Sequence, residues 1–140
     1  MTVTIEQTRD IATCRALRRA VFIEEQGVSE ADEIDDQDEA AIHLLLSKGS
    51  TPLGSARLIL GQRYIKIGRV CVLAQARGQG HGAALIRAAI ATARTTLGVT
   101  EVSLGAQTHA LGFYEALGFT PRGPVFTDAG IPHQEMTMTL

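Results

Sequence analysis

Arg69-Val70-Cys71-Val72-Leu73-Ala74-Gln75-Ala76-Arg77-Gly78-Gln79-Gly80-His81-Gly82-Ala83-Ala84 is the stretch on which the fold turns. The β-branched and apolar residues up to Leu73 read as the end of a long strand that begins at Tyr64. The alanines after Gly82 open a helix that runs to about Leu97 and is closed by Gly98. A helix entered from such a loop has first-turn N–H groups with no intrahelical partner, backed by the positive end of the macrodipole. The glycines remove side chains so that an anion can come close to those donors, and Arg77 adds a formal charge beside them. On chemical grounds Arg77, Gly78, Gln79, Gly80, His81 and Gly82 form a pyrophosphate site.

Upstream, Val3 to Glu6 alternates apolar and polar residues as a first strand. Ile11, Cys14, Leu17, Arg18, Val21 and Phe22 follow helical spacing, with Thr8 as a cap and Gly27 as the stop. Ser29-Glu30-Ala31-Asp32 opens a second, short helix. Ala41 to Leu46 and Leu53 to Leu60 read as a hairpin turning at Lys48 to Pro52, and short connections make this half of the sheet antiparallel. Downstream, Val102 to Leu104 is a strand, Ala110 to Leu117 a helix ended by Gly118, Phe119 begins another strand and His133 to Leu140 is the last. The sum is an α/β (α+β) chain with a mixed, mostly antiparallel sheet of six to seven strands and about four helices, forming one domain over residues 1–140.

Bulk composition agrees with one ordinary core: 45% hydrophobic and 20% charged residues argue against disorder. No apolar run approaches the ~20 residues that span a bilayer. The N-terminus has no basic segment leading into an apolar core, as a secretory signal would. Cys14 and Cys71 lie far apart, without metal-type spacing, and read as reduced thiols of a cytoplasmic protein, with Cys71 inert in a strand core. Nine of the fifteen acidic residues fall between Glu24 and Glu39, where there is no Lys or Arg. Such a run is ordinarily a solvated loop; a weaker reading makes it attractive to a cationic ligand.

Several nucleotides could use the glycine loop. A Walker A loop needs Lys and Ser/Thr after its last glycine, where this chain has Ala83-Ala84. Gly78-x-Gly80-x-x-Ala83 satisfies the dinucleotide fingerprint, but Glu101 begins the following strand instead of ending it. Only 58 residues follow Gly82, too few for a full doubly wound domain. No nucleic-acid-reading motif is present and the net charge is −2.

Arg77-x-x-Gly80-x-Gly82 resembles the (Gln/Arg)-x-x-Gly-x-(Gly/Ala) pyrophosphate motif of the GNAT superfamily of N-acetyltransferases. Ala110-Leu111-Gly112-Phe113-Tyr114-Glu115-Ala116-Leu117-Gly118-Phe119 resembles a second segment of that superfamily, in the expected order. In the N-terminal third, Arg19 to Val28, Glu33-Ile34-Asp35-x-x-Asp38 and Ala41-x-His43, with the closing Gly130-Ile131-Pro132-His133, resemble its ElaA-type (YjcF-like) subgroup.

The resemblance implies a GNAT-like sheet with splayed central strands, acetyl-CoA as co-substrate, and direct attack of a primary amine, on a small molecule or a peptide, within a ternary complex. It implies that a backbone N–H of Val70, Cys71 or Val72 faces the thioester carbonyl, and that Tyr114 protonates the leaving thiolate. An aromatic pair on a short helix is otherwise core, and Phe113 is read so, while it is also counted among the cofactor-binding residues. Glu24 and Glu25 lead the candidates for the base, ahead of His43, His109 and His133. Pairing into a homodimer through sheet edges is common in the superfamily. Two rival functions remain: a non-catalytic acyl-CoA sensor on the same fold, which would have no use for Tyr114, and a nicotinamide-dependent oxidoreductase. No metal site is expected.

Overall fold

The computed structural model describes residues 2–140. Seven strands form one sheet: β1 (Val3–Thr8), β2 (Ile42–Lys48), β3 (Thr51–Leu60), β4 (Tyr64–Val72), β5 (Glu101–Gln107), β6 (Thr120–Asp128) and β7 (Ile131–Thr139). Their spatial order is β1-β2-β3-β4-β5-β7-β6, and every neighbouring pair is antiparallel except β4 with β5. Four α-helices complete the chain: α1 (Ile11–Arg18), α2 (Glu30–Glu33), α3 (His81–Arg94) and α4 (Leu111–Ala116). The parallel pair arises because α3 carries the chain back across the sheet, as parallel neighbours require.

Strand alternation divides the core. Leu44, Leu46, Leu58, Ile65, Ile67, Val102 and Leu104 face α3, which buries Leu85, Ile86, Ala89, Ile90 and Ala93 against them. The opposite face carries a smaller cluster in which Leu17 and Val21 meet Cys71, with Phe22, Leu45 and Leu73 packed around it. Leu45 and Cys71 lie there because adjacent strand residues point to opposite faces.

Three boundaries differ from the sequence reading. The first helix does not run uniformly to Phe22: beyond Arg18 it widens into a π-helical segment, Arg19–Glu25, closed by Gln26 N–H donating to the Val21 carbonyl at 3.0 Å. Helix α3 starts two residues before Ala83, since Gly80 at φ +79° caps it, and ends at Arg94 instead of Leu97. The hydroxyls of Thr95 and Thr96 both donate to the Thr92 carbonyl, capturing an acceptor at the last turn. Strand β5 continues past Leu104 through Gly105-Ala106-Gln107, poor strand formers, because β7 pairs with it along its whole length.

Candidate functional site

The parallel ladder between β4 and β5 stops at the pair Ile67↔Leu104. Both strands run on, β4 to Val72 and β5 to Gln107, so they diverge into a V. A bulge in β4 helps to open it: Ser55 pairs with Cys71 and Arg57 with Gly68, leaving Ala56 opposite both Arg69 and Val70. Arg69 sits at φ +50°, a left-handed conformation that is uncommon for a residue with a side chain. Above the V is a cleft of about 360 Å³, lined among others by Val70, Gln107, Tyr114 and His133.

The three candidate backbone donors are not equivalent. Leu73 N–H donates to Leu53 O at 2.8 Å, so alternation along the strand turns Cys71 N–H toward β3 and the peptide edge of Val72 away from it. The Val72 carbonyl, on that outer edge, accepts from Arg77 Nε at 3.0 Å. The Cys71 thiol points to the α1 face, 3.4 Å from Ser55 Oγ, and burial pushes its pKa up. Burial likewise pushes the Cys14 thiol up to about 11. Both are protonated thiols that pack as small apolar residues.

The V leads into the glycine loop. Gly78 and Gly80 hold φ of +78° and +79°, and a Cβ at Gly78, Gly80 or Gly82 would meet nothing within 4 Å. Open space therefore lies over the unpaired N–H groups at the start of α3, and no side chain caps that helix. The loop fits a diphosphate. The side chain of Arg77 is turned elsewhere: its NH1 and NH2 form a two-pronged ion pair with Glu25, at the end of the π-helical segment.

Tyr114, on α4, reaches the cleft half-buried, and burial raises its hydroxyl pKa, keeping it protonated at neutral pH. It meets Phe113 edge-on at 5.0 Å and Phe119 at 6.1 Å between ring centroids. Phe113 is a correction to the core reading: it is 46% exposed.

The candidate bases separate. Glu24 is exposed and outside the residues that line the cleft, and Glu25 is tied to Arg77, whose guanidinium lowers its pKa and makes it a weaker base. His43 is buried, with Nε2 donating to the Asp38 carbonyl at 2.7 Å, which makes it a structural brace. His109 and His133 line the cleft. His109 Nε2 is 2.7 Å from Gln107 Oε1. His133 Nδ1 lies 2.7 Å from the Ile131 carbonyl and stacks against Phe126, so Nδ1 carries the proton and Nε2 of the neutral ring keeps its lone pair.

The acidic run divides: Glu24, Glu25, Glu30, Asp32, Asp36 and Glu39 are exposed, as a solvated segment would be, while Glu33, Asp35 and Asp38 are drawn into the fold. Glu33 and Asp38 are buried with Arg18 and Arg57. Arg18 donates to both carboxylates, Arg57 to Asp35 and Asp38, Arg15 to Asp38, and Arg69 to Glu33 and Asp35. Burial works against the charge on Asp38 but is outweighed by Arg18, Arg15 and Arg57, which hold its carboxyl well below the usual range. Arg18, Arg57 and Arg69 were invisible as a group in the sequence, since they come from α1, β3 and β4. Gln107, Lys66, Phe126 and Asp128 also line the cleft without a sequence signal of their own. Among the described residues no cluster of His, Cys, Asp and Glu could hold a metal ion, and no helix is long and apolar enough to cross a membrane.

A family model described as an acetyltransferase (GNAT) domain matches residues 11–140. The chain is 37% identical over 131 residues to the uncharacterized protein YyaT of Bacillus subtilis, spanning 91% of this chain and 88% of that protein. It resembles the crystal structure of Escherichia coli ElaA with a TM-score of 0.87 at 28% identity, over 98% of this chain and 99% of that one. An acyl-CoA N-acyltransferase from Pseudomonas aeruginosa is similar to the same degree, with a TM-score of 0.87, 29% identity and 98% of each chain covered. With the family model reaching almost from end to end and ElaA matched along nearly its whole length, the chain belongs to the GNAT acetyltransferase family and, within it, to the ElaA-type group.

Proposed function

We propose that this protein transfers the acetyl group of acetyl-CoA to a primary amine, on a small molecule or a peptide, by direct attack with no covalent enzyme intermediate. The observation that carries the reading is the β4–β5 splay running straight into a bare glycine loop at the start of a helix. The N–H groups of Gly78 to Gly82 hold the diphosphate, and the outer peptide edge of Val72 runs beside the pantetheine arm. The Val70 N–H, at the bulge, faces the thioester carbonyl, where a preorganised donor is most useful as negative charge develops.

Two proton movements remain. An amine with pKa near ~10.4 is almost wholly ammonium at neutral pH, so a base must take its proton before attack. His133 is the better candidate than Glu24 and Glu25, because it lines the cleft and its hydrogen bond to the Ile131 carbonyl uses Nδ1, leaving Nε2 for the amine proton. The amine nitrogen then bonds to the carbonyl carbon, the carbon–sulfur bond breaks, and Tyr114 gives its proton to the departing sulfur, regaining one from solvent. Glu33, Asp35 and Asp38 are already paired with arginines and so lend no support to a polyamine-like acceptor.

Thermal unfolding with acetyl-CoA, CoA, NAD⁺, NADPH and ATP tests the assignment. A ligand at ~100 times its Kd adds about 2.7 kcal/mol of stability. The expected result is a rise in Tm with acetyl-CoA and CoA alone; a rise with a nicotinamide nucleotide instead refutes the reading. An amine screen by CoA release then follows, in which Tyr114→Phe lowers kcat more than about tenfold with acetyl-CoA affinity retained. Acetyl-CoA binding without turnover of any amine, unaltered by that substitution, would point to a sensor.

A further inference from the structure

The acidic segment and the β4 bulge meet at one side chain, Arg69. Its backbone is left-handed at φ +50°, in the middle of a strand and without the freedom of glycine. A strained residue persists only where its surroundings over-determine it, and such residues gather at functional sites. Arg69 has that surrounding: Nε donates to Glu33 Oε2 at 3.2 Å, and NH2 reaches the carbonyls of Asp32 at 3.3 Å and Glu33 at 3.0 Å and Asp35 Oδ2 at 3.4 Å.

These acceptors are themselves fixed. Glu33 takes two hydrogen bonds from Arg18, at 2.9 and 3.3 Å, and Asp35 takes two from Arg57, at 2.8 and 2.9 Å. Arg57 is the register partner of Gly68, the residue before Arg69. The loop is thus bolted to α1 and β3, and Arg69 is bolted to the loop. Within one residue of Arg69, the β4 backbone has left its ladder with β5 and bulged away from β3.

We propose that Arg69 is a positioning residue for acyl recognition: with Glu33 and Asp35 as its anchors, it holds the β4 bulge so that the Val70 N–H points into the V, where the thioester carbonyl lies. This rests on the acyl-CoA reading of the cleft. On this account Glu33 and Asp35 are the foundation of the carbonyl-binding donor.

The test compares acetyl-CoA with CoA, which differ only in the carbonyl-bearing group, by calorimetry on the whole chain. Arg69→Ala loses the tether and keeps the conformational penalty; Arg69→Gly loses the tether but accepts the left-handed conformation freely. The wild type is expected to bind acetyl-CoA about three- to tenfold more tightly than CoA, the range of one hydrogen bond. Arg69→Ala should bring that ratio close to one with CoA affinity preserved, and Arg69→Gly should fall between. In ¹⁵N spectra the Val70 amide should shift more with acetyl-CoA than with CoA in the wild type, and equally in Arg69→Ala. A ratio unchanged in both variants, or a parallel loss of both affinities, overturns the proposal. Failure of either ligand to bind the wild type would instead sink the acyl-CoA reading itself.

Discussion

The acidic segment and the glycine loop handle polar groups in opposite ways. The acidic segment from Glu30 to Asp38 has its buried carboxylates matched inside the fold by guanidinium groups of α1, β3 and β4. The glycine loop from Gly78 to Gly82 leaves the backbone donors at the start of α3 without a side-chain cap and its surface open. A run of like charges along the chain therefore says little about a ligand until the opposite charges are located in space. Unpaired backbone donors at a helix start say more, since they cannot be satisfied from within the helix. One region is closed upon itself, and the other is complete only with an anion.

Substitutions can break each side of this contrast. The largest effect is expected for Arg18→Met, which strips Glu33 and Asp38 of a fully buried partner. Breaking such a pair costs about 3 kcal/mol or more. Denaturant unfolding should show that loss; a change under about 1 kcal/mol would mean that Arg15, Arg57 and Arg69 suffice without it. Next is Gly80→Asp, which has room for its side chain but must hold φ +79°, a conformation that costs a residue with a side chain about 1 kcal/mol. It should lower the stability of the ligand-free protein by about that amount while weakening acetyl-CoA by about 100-fold, since a carboxylate replaces open space before the phosphate donors. Unchanged affinity in calorimetry would remove the loop from the site.

A pH titration sharpens the comparison more gently. The folded-state pKa of Asp38 is lowered from 3.8, and that of Asp35 is lowered too. Groups of this kind contribute stability that is fully present above the unfolded value and is lost as pH falls through the folded one. Stability should thus drop steeply below about pH 4, and Asp38→Asn should flatten that acid limb while lowering the plateau. An acid limb of the same slope in the variant would show that Asp38 is not a source of it. The smallest effect belongs to the link between the two regions. Arg77–Glu25 is an exposed pair, of a kind worth about 0.2–1 kcal/mol, so Glu25→Gln should raise acetyl-CoA affinity no more than about fivefold by freeing Arg77. A larger gain would make the pair a genuine gate.

The glycine loop was legible in the sequence because its chemistry is local: strand, glycines and helix are consecutive, and backbone groups do the work. Strand order in the antiparallel half was legible for the same reason, through short turns. The acidic run misled because its partners lie elsewhere in the chain; Arg57 is 22 residues from Asp35 and Arg69 is 36 from Glu33. Glu25 and His133 show the same limit at the site. Their positions near characteristic motifs put them on one list of bases, and only three-dimensional hydrogen bonding distinguishes a carboxylate spent on Arg77 from an imidazole nitrogen left open.

The place of β7 in the sheet has a consequence for how the protein is made. Although β7 follows β6 in the chain, it lies between β5 and β6, and its Met136 is wholly buried. During synthesis, β6 emerges with no neighbour to pair with, and β5 waits with one edge open until residues 131–139 are free to insert. Closure of the far wall of the V therefore waits on the last of the seven strands, and a chain halted before Ile131 would expose the open edge of β5 and an unpaired β6 to aggregation.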